Sequence, residues 1–218
     1  MPFDALIFDM DGLMVDTEPL SLAAWNEALA PFGAAIDDDL YQRVVGRSGE
    51  ATIQILGAAL ALETDLQALL EDAGAAWLRL LQRGVPMMPG IEDVHRLLRG
   101  RRTPWGVATA SPRPVAELVV SQLAYAADCR GLATGSDVVH SKPAPDVYLL
   151  AAERVGVDPR RCLALEDSVT GCRAAQAAGM TVFAVPGGHT NAAAFGFVNE
   201  VLPSLEAVAE MLPGLLSS

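Results

Sequence analysis

Two carboxylates at alternate positions, Asp9 and Asp11, stand directly behind the apolar run Ala5-Leu6-Ile7-Phe8 and in front of Gly12. Alternate side chains of a strand share a face, so at a strand's carboxyl end both acids can look into one crevice. In an open α/β sheet that crevice is where ligands bind. A pair of carboxylates so placed serves chemistry rather than a core. A calcium loop of the EF-hand type fits poorly, because Leu13, Met14 and Val15 follow where further oxygen ligands are needed. An ordinary acidic turn stays open for the tetrapeptide read alone.

Lys142 is the only lysine of the chain, against fourteen arginines. It lies in His140-Ser141-Lys142-Pro143-Ala144-Pro145-Asp146, where Pro145 suits the first turn of a following helix. An ammonium at a loop-to-helix junction is a partner for phosphate or for a buried carboxylate, and a solvated surface lysine is the other reading. The run Cys162-Leu163-Ala164-Leu165 repeats the first pattern, an apolar strand ending in Glu166 and Asp167, with a helix opening after Ser168 and closed by Gly179. A further run, Trp105-Gly106-Val107-Ala108, ends in the hydroxyls of Thr109 and Ser111 and leads into a helix whose backbone N–H groups could hold an anion. Three strand ends thus offer carboxylates, hydroxyls and N–H donors, with one lysine among them.

The elements that must position these groups follow from periodicity. Strand-like runs fall near residues 5–9, 105–110, 131–134, 162–167 and 181–186. From residue 91 they alternate with helical stretches such as Val115-Leu118-Val119 and Val147-Leu150-Ala151, the rhythm of a parallel sheet. Between Asp16 and about Pro86 no strand is evident. Helix starts stand instead at Thr17-Glu18-Pro19, at Asp37-Asp38-Asp39, after Ser48 and after Thr64-Asp65. The predicted architecture is an α/β core of residues 1–16 and 87–218, with an all-helical domain of residues 17–86 inserted between the first and second strands.

Composition closes off other classes. A chain of 218 residues that is 51% hydrophobic and 19% charged has the makings of a packed globule rather than a disordered segment. A formal net charge of −12 argues against nucleic acid and anionic membranes as partners, since both need a basic surface. The apolar stretch from Ile53 to Leu62 is too short to span a bilayer, and Met1-Pro2-Phe3-Asp4 lacks the basic start of a signal peptide; the expected location is cytoplasmic. Cys129, Cys162 and Cys172 show no metal-ligand spacing, and read as small apolar fillers in a reducing compartment. His95, His140 and His189 are scattered, which favours neither a zinc site nor a histidine-based triad.

In order along the chain, Asp9-Met10-Asp11-Gly12 with Asp16-Thr17-Glu18, Ala108-Thr109-Ala110-Ser111, Lys142-Pro143-Ala144-Pro145-Asp146, and Glu166-Asp167-Ser168 with Gly171 resemble the four motifs of the haloacid dehalogenase superfamily. The likeness is to its β-phosphoglucomutase-like and sugar phosphatase group. That resemblance implies a Rossmann-like parallel sheet with a four-helix cap closing over the carboxyl ends of the strands, Pro86 and Pro89-Gly90 forming the second hinge. It implies Mg²⁺ as cofactor, held by Asp9, the backbone carbonyl of Asp11, and Asp167, with Glu166 behind this shell or reaching the metal through water. Asp9 would attack phosphorus to give an aspartyl-phosphate. Asp11 would hand a proton to the leaving oxygen and later take one from water. Lys142, the Thr109 hydroxyl and the Ala110 N–H would hold the transferring phosphoryl oxygens.

Asp11 argues against halide displacement, which has no alkoxide to protonate, and the lysine-free cap argues against phosphonate cleavage through a Schiff base. Arg47, in Val45-Gly46-Arg47-Ser48-Gly49, is the cap residue expected to reach the substrate, and Arg113 is a second arginine able to raise the local potential. The histidine that mutases carry shortly after the Asp-Thr pair is Ser21 here, and Ser111-Pro112-Arg113-Pro114 lacks their lysine and asparagine. The expected function is therefore a monomeric, Mg²⁺-dependent phosphatase for a small phosphorylated metabolite such as a sugar phosphate. A β-phosphoglucomutase-type phosphomutase is the alternative. A non-catalytic binding or regulatory module stands behind both, because each residue of the catalytic set is intact.

Overall fold

The computed structural model describes residues 2–45, 49–62, 64–187 and 192–217. The chain divides into two compact units, Met1–Asp16 with Pro86–Ser218, and Thr17–Val85. In the first unit the strands β1 (Ala5–Phe8), β2 (Trp105–Ala108), β3 (Cys129–Ala133), β4 (Cys162–Glu166), β5 (Thr181–Ala184) and β6 (Glu200–Val201) form one sheet in the order β3-β2-β1-β4-β5-β6. All its pairings are parallel. A parallel sheet covered by helices buries both faces of its central strands. This is why Ala5-Leu6-Ile7-Phe8 and Cys162-Leu163-Ala164-Leu165 read as unbroken apolar runs, and every residue of β1 and β4 is buried.

The second unit is helical: α1 (Glu18–Leu29), α2 (Asp38–Val44), α3 (Gly49–Leu60) and α4 (Leu66–Arg83). Side-chain caps start two of them where the sequence suggested. Asp37 caps α2 by accepting from Leu40 N at 2.8 Å, and Asp65 caps α4 by accepting from Gln67 N at 2.9 Å. Trp25, Leu29, Ile36, Leu40, Ile53, Leu56 and Leu69 make the unit's own core. Burying each large side chain of this kind contributes roughly 1.5–3 kcal/mol.

In the sheet unit, α5 (Ile91–Arg101), α6 (Arg113–Ser121), α7 (Asp146–Val155), α8 (Val169–Ala177) and α9 (Leu205–Met211) alternate with the strands. The chain steps outward from β1 to β2 to β3, then α7 carries it back to β4 on the other side of β1. The order therefore reverses between β1 and β4, the topological switch point at which open α/β sheets bind ligands. Asp9 N donates to Leu165 O at 3.0 Å and ties the two strand ends together there. The α/β class with a helical insertion between β1 and β2 matches the sequence reading. The edge strand β6 was not foreseen, because two residues carry no period. Among the described residues no helix is long and apolar enough to cross a membrane.

One face of the sheet carries an aromatic group in which His95 of α5 stacks on Trp105, ring centroids 4.4 Å apart, with Phe8 edge-on to both. His95 Nε2 is buried without a hydrogen-bond partner, and burial holds the imidazole at about 4, well below its ordinary 6.5.

Candidate active site

At the switch point the side chains of Asp9, Glu166 and Lys142 meet. Lys142 Nζ, arriving from the segment before α7, contacts Asp9 Oδ1 and donates to Glu166 Oε1 at 2.6 Å. The lysine side chain is 8% exposed and that of Glu166 is wholly buried. Removing charges from water is costly unless each finds partners, and Glu166 has a full set. Its Oε1 also accepts from Tyr148 OH at 2.9 Å, and its Oε2 accepts from both Ser168 N and Ser168 Oγ at 2.9 Å. Ser168 in turn caps α8, its Oγ accepting from Gly171 N at 3.0 Å. A glycine is required at 171, where a Cβ would lie 1.5 Å from Glu166 Oε1.

The second part of the site lies at the end of β2. Ser111 Oγ donates to Asp11 Oδ2 at 2.8 Å, and Thr109 Oγ1 approaches the same oxygen at 3.4 Å while accepting from Ser111 N at 3.0 Å. Thr109 is buried, Asp11 half-buried, and Ala110 sits on the exposed rim of the same loop. Gly12, with φ +83°, completes the turn after β1; a Cβ there would come within 2.2 Å of Asp167 Oδ2. Asp167 is thereby packed against the backbone of the first acidic turn.

Electrostatics set the character of the site. Burial drives Asp9 well above the usual carboxylate range, with Lys142 pulling the other way. Asp167 is raised to about 7, chiefly by burial and then by the Glu166 charge. Burial works against the charge of Lys142, but Asp9 and Glu166 outweigh it and hold the ammonium above its ordinary value. Burial, then the Glu166 charge, raises Tyr148 far enough that it remains an O–H donor. Carboxylate oxygens of Asp9, Glu166 and Asp167 lie within 4.8 Å of one another, beside only one lysine. That excess of negative charge among oxygen donors suits a hard divalent cation. Because Glu166 already accepts four hydrogen bonds, the carboxylates left to bind an ion directly are those of Asp9 and Asp167.

The chain matches the haloacid dehalogenase-like hydrolase family over residues 3–179. It belongs to that family. Among relatives of this hydrolase, a fructose-1-phosphate phosphatase of Escherichia coli is 36% identical over 181 residues, 82% of this chain and 94% of that protein. A hexitol phosphatase B of Escherichia coli is 33% identical over 224 residues, 96% of either chain. The crystal structure of a HAD family hydrolase from Deinococcus radiodurans with bound phosphate and sodium is 30% identical, covers 99% of this hydrolase and 98% of that chain, and superposes with a TM-score of 0.80.

Of the residues singled out in the sequence, the hydrolase brings Asp9, Glu166, Asp167 and Lys142 into one cluster and sets the hydroxyls of Thr109 and Ser111 against Asp11. Arg47 lies outside the described residues. Arg113 is not available to a substrate: Asp137 takes its Nε and Nη2 and Glu117 its Nη1. Two participants were missed. Tyr148 sits on the apolar face of α7 between Val147 and Ala151, where its pattern is that of a core residue. Ser168 stood in a quoted motif, and its spacing to Gly171, proper to a helix cap, was the available signal for its second role.

Proposed function

We propose that this phosphoric monoester hydrolase is a Mg²⁺-dependent phosphatase of small phosphorylated sugars, acting through an aspartyl-phosphate on Asp9. The observation that carries this reading is the contact of Asp9 with a buried lysine fixed by Glu166, at the switch point, with a second aspartate two residues on. A phosphate monoester dianion repels a carboxylate, so positive charge must be in place before in-line attack. Bound Mg²⁺, held by Asp9 and Asp167 with the Asp11 carbonyl as a further ligand, would neutralise charge on the phosphoryl oxygens. Lys142 supplies the protein's own positive charge, and Glu166 keeps that charge where it is needed.

Asp9 attacks phosphorus as the bond to the ester oxygen breaks. Asp11 delivers its proton to that oxygen and afterwards takes one from the water that hydrolyses the acyl phosphate. The Thr109 hydroxyl and the Ala110 N–H are the proposed supports for the transferring oxygens. The sugar preference rests on the fructose-1-phosphate and hexitol phosphatases among the relatives. Ser21, standing where mutases carry a histidine, favours hydrolysis over phosphoryl return.

A phosphate-release assay over a panel of sugar phosphates and other small phosphorylated metabolites, with Mg²⁺ or with EDTA, tests the proposal. Release of inorganic phosphate from hexose or hexitol phosphates, abolished by EDTA, is expected. If β-glucose 1-phosphate with a trace of glucose 1,6-bisphosphate gave glucose 6-phosphate and little free phosphate, the phosphomutase reading would replace it. Failure of every substrate would leave the non-catalytic module.

A further inference from the structure

We infer that Ser111 is a positioning residue for Asp11: its hydroxyl holds Oδ2 of the acid and so sets the direction from which the carboxyl delivers its proton to the leaving group. This rests on the phosphatase reading above. The main chain of Ser111 is pinned from two directions, its N–H donating to Thr109 Oγ1 at 3.0 Å and its carbonyl accepting from Gly135 N at 3.1 Å. The contact between the two loops is close enough that a Cβ on Gly135 would come within 2.2 Å of Ala110 O. The loop carrying Gly135 is itself fixed, because Asp137 accepts from Thr134 N and Thr134 Oγ1 at 2.9 Å each and is paired with Arg113 and Arg154. A hydroxyl on so constrained a backbone has a set direction. It is aimed at Asp11 Oδ2, 2.8 Å away and 100 residues distant in sequence.

The consequence is chemical. The Ser111 hydroxyl, and at longer range that of Thr109, address the same carboxylate oxygen, so together they fix the plane of the Asp11 carboxyl. In phosphoryl transfer the Asp9 oxygen–phosphorus bond forms, the phosphorus–ester oxygen bond breaks, and the proton on the Asp11 carboxyl goes to the ester oxygen, which departs as an alcohol. Misorienting that carboxyl slows the step only in so far as the leaving group needs the proton. A sugar alkoxide needs it, and a nitrophenolate does not.

The test is single-turnover phosphoryl transfer by the Mg²⁺-loaded enzyme, in wild type, Ser111→Ala and Ser111→Thr, from fructose 1-phosphate and from p-nitrophenyl phosphate, with melting curves to establish folding. Ser111→Ala should slow transfer from the sugar ester by on the order of tenfold to a hundredfold and from the nitrophenyl ester by several-fold less, with KM for each little changed. Ser111→Thr, which keeps a hydroxyl, should restore most of the difference; if the alanine variant fails to fold, Ser111→Cys, which offers only a weak donor, is read in its place with the same expected split between the two esters. Equal losses on both esters, or a raised KM without a change in the transfer step, would overturn the inference and assign Ser111 to the phosphoryl group or to the fold. Wild-type enzyme that turned over neither ester would overturn the phosphatase reading and this inference with it.

Discussion

Glu166 and Asp11 are both carboxylates at strand ends of one sheet, yet their surroundings differ. Glu166 is fully buried, ends β4 and accepts four hydrogen bonds from Lys142, Tyr148 and Ser168. Asp11 is half-buried and meets hydroxyls from a single loop at its Oδ2. The difference follows from the work each is proposed to do. A group that keeps an ammonium in place must not move or lose its charge, so every lone pair is occupied. A proton carrier must reach both leaving group and water, so it cannot be enclosed in the same way. Asp9 lies between the two, touching the fixed lysine and separated from the acid by one residue.

The largest effect should come from Asp9→Asn, which keeps the shape and removes the nucleophile. Turnover is expected to fall by more than about a thousandfold while the melting curve stays close to that of wild type. A variant retaining a tenth of the activity would refute the covalent role. Next is Lys142→Met, which strikes the enclosed side. It should cost turnover and, by leaving Asp9 and Glu166 buried without their cation, destabilise the fold by about 3–5 kcal/mol in denaturant unfolding. Lost stability with intact turnover would reduce the lysine to a structural part.

These two positions were legible in the sequence for a physical reason: a strand's period of two fixes side-chain direction locally, so carboxylates at the ends of apolar runs announce where they point. Lys142 was legible because no other lysine competes with it. What escaped depends on tertiary direction. Whether the Ser111 hydroxyl faces Asp11 cannot be read from a loop whose partner lies 100 residues away. Arg113 was expected to raise the potential at the site, but the fold pairs it with Asp137. Tyr148 has the helical spacing of a core residue and is one; only packing reveals that its hydroxyl ends on Glu166. The two residues of β6 are too short to carry a pattern.

A third expectation supplies a contrast from outside the site. His95 is neutral when folded, held at about 4 by burial against an ordinary 6.5. The unfolded chain therefore takes up a proton first as pH falls, and stability should drop between about pH 6.5 and 4 by up to about 3 kcal/mol on this account, returning fully above 6.5. In His95→Gln the fall in unfolding free energy over that range should be smaller. Identical slopes in the two proteins would mean that His95 is not the group responsible. Tyr148→Phe removes one of the four donors to Glu166, and should cost about 1 kcal/mol in stability and a few-fold in kcat with KM unchanged, since Lys142 and Ser168 still hold the carboxylate. A loss as large as that of Lys142→Met would mean that the tyrosine takes part in the chemistry itself.

On the proposed mechanism Asp9 carries the phosphoryl group. Mixing enzyme, Mg²⁺ and excess p-nitrophenyl phosphate, quenching within the burst of nitrophenolate, reducing with borohydride and mapping the peptides by mass spectrometry tests it most directly, because reduction converts an aspartyl-phosphate to homoserine. Homoserine at position 9 and at no other aspartate is the expected result; a stoichiometric burst that leaves Asp9 unmodified would contradict the account.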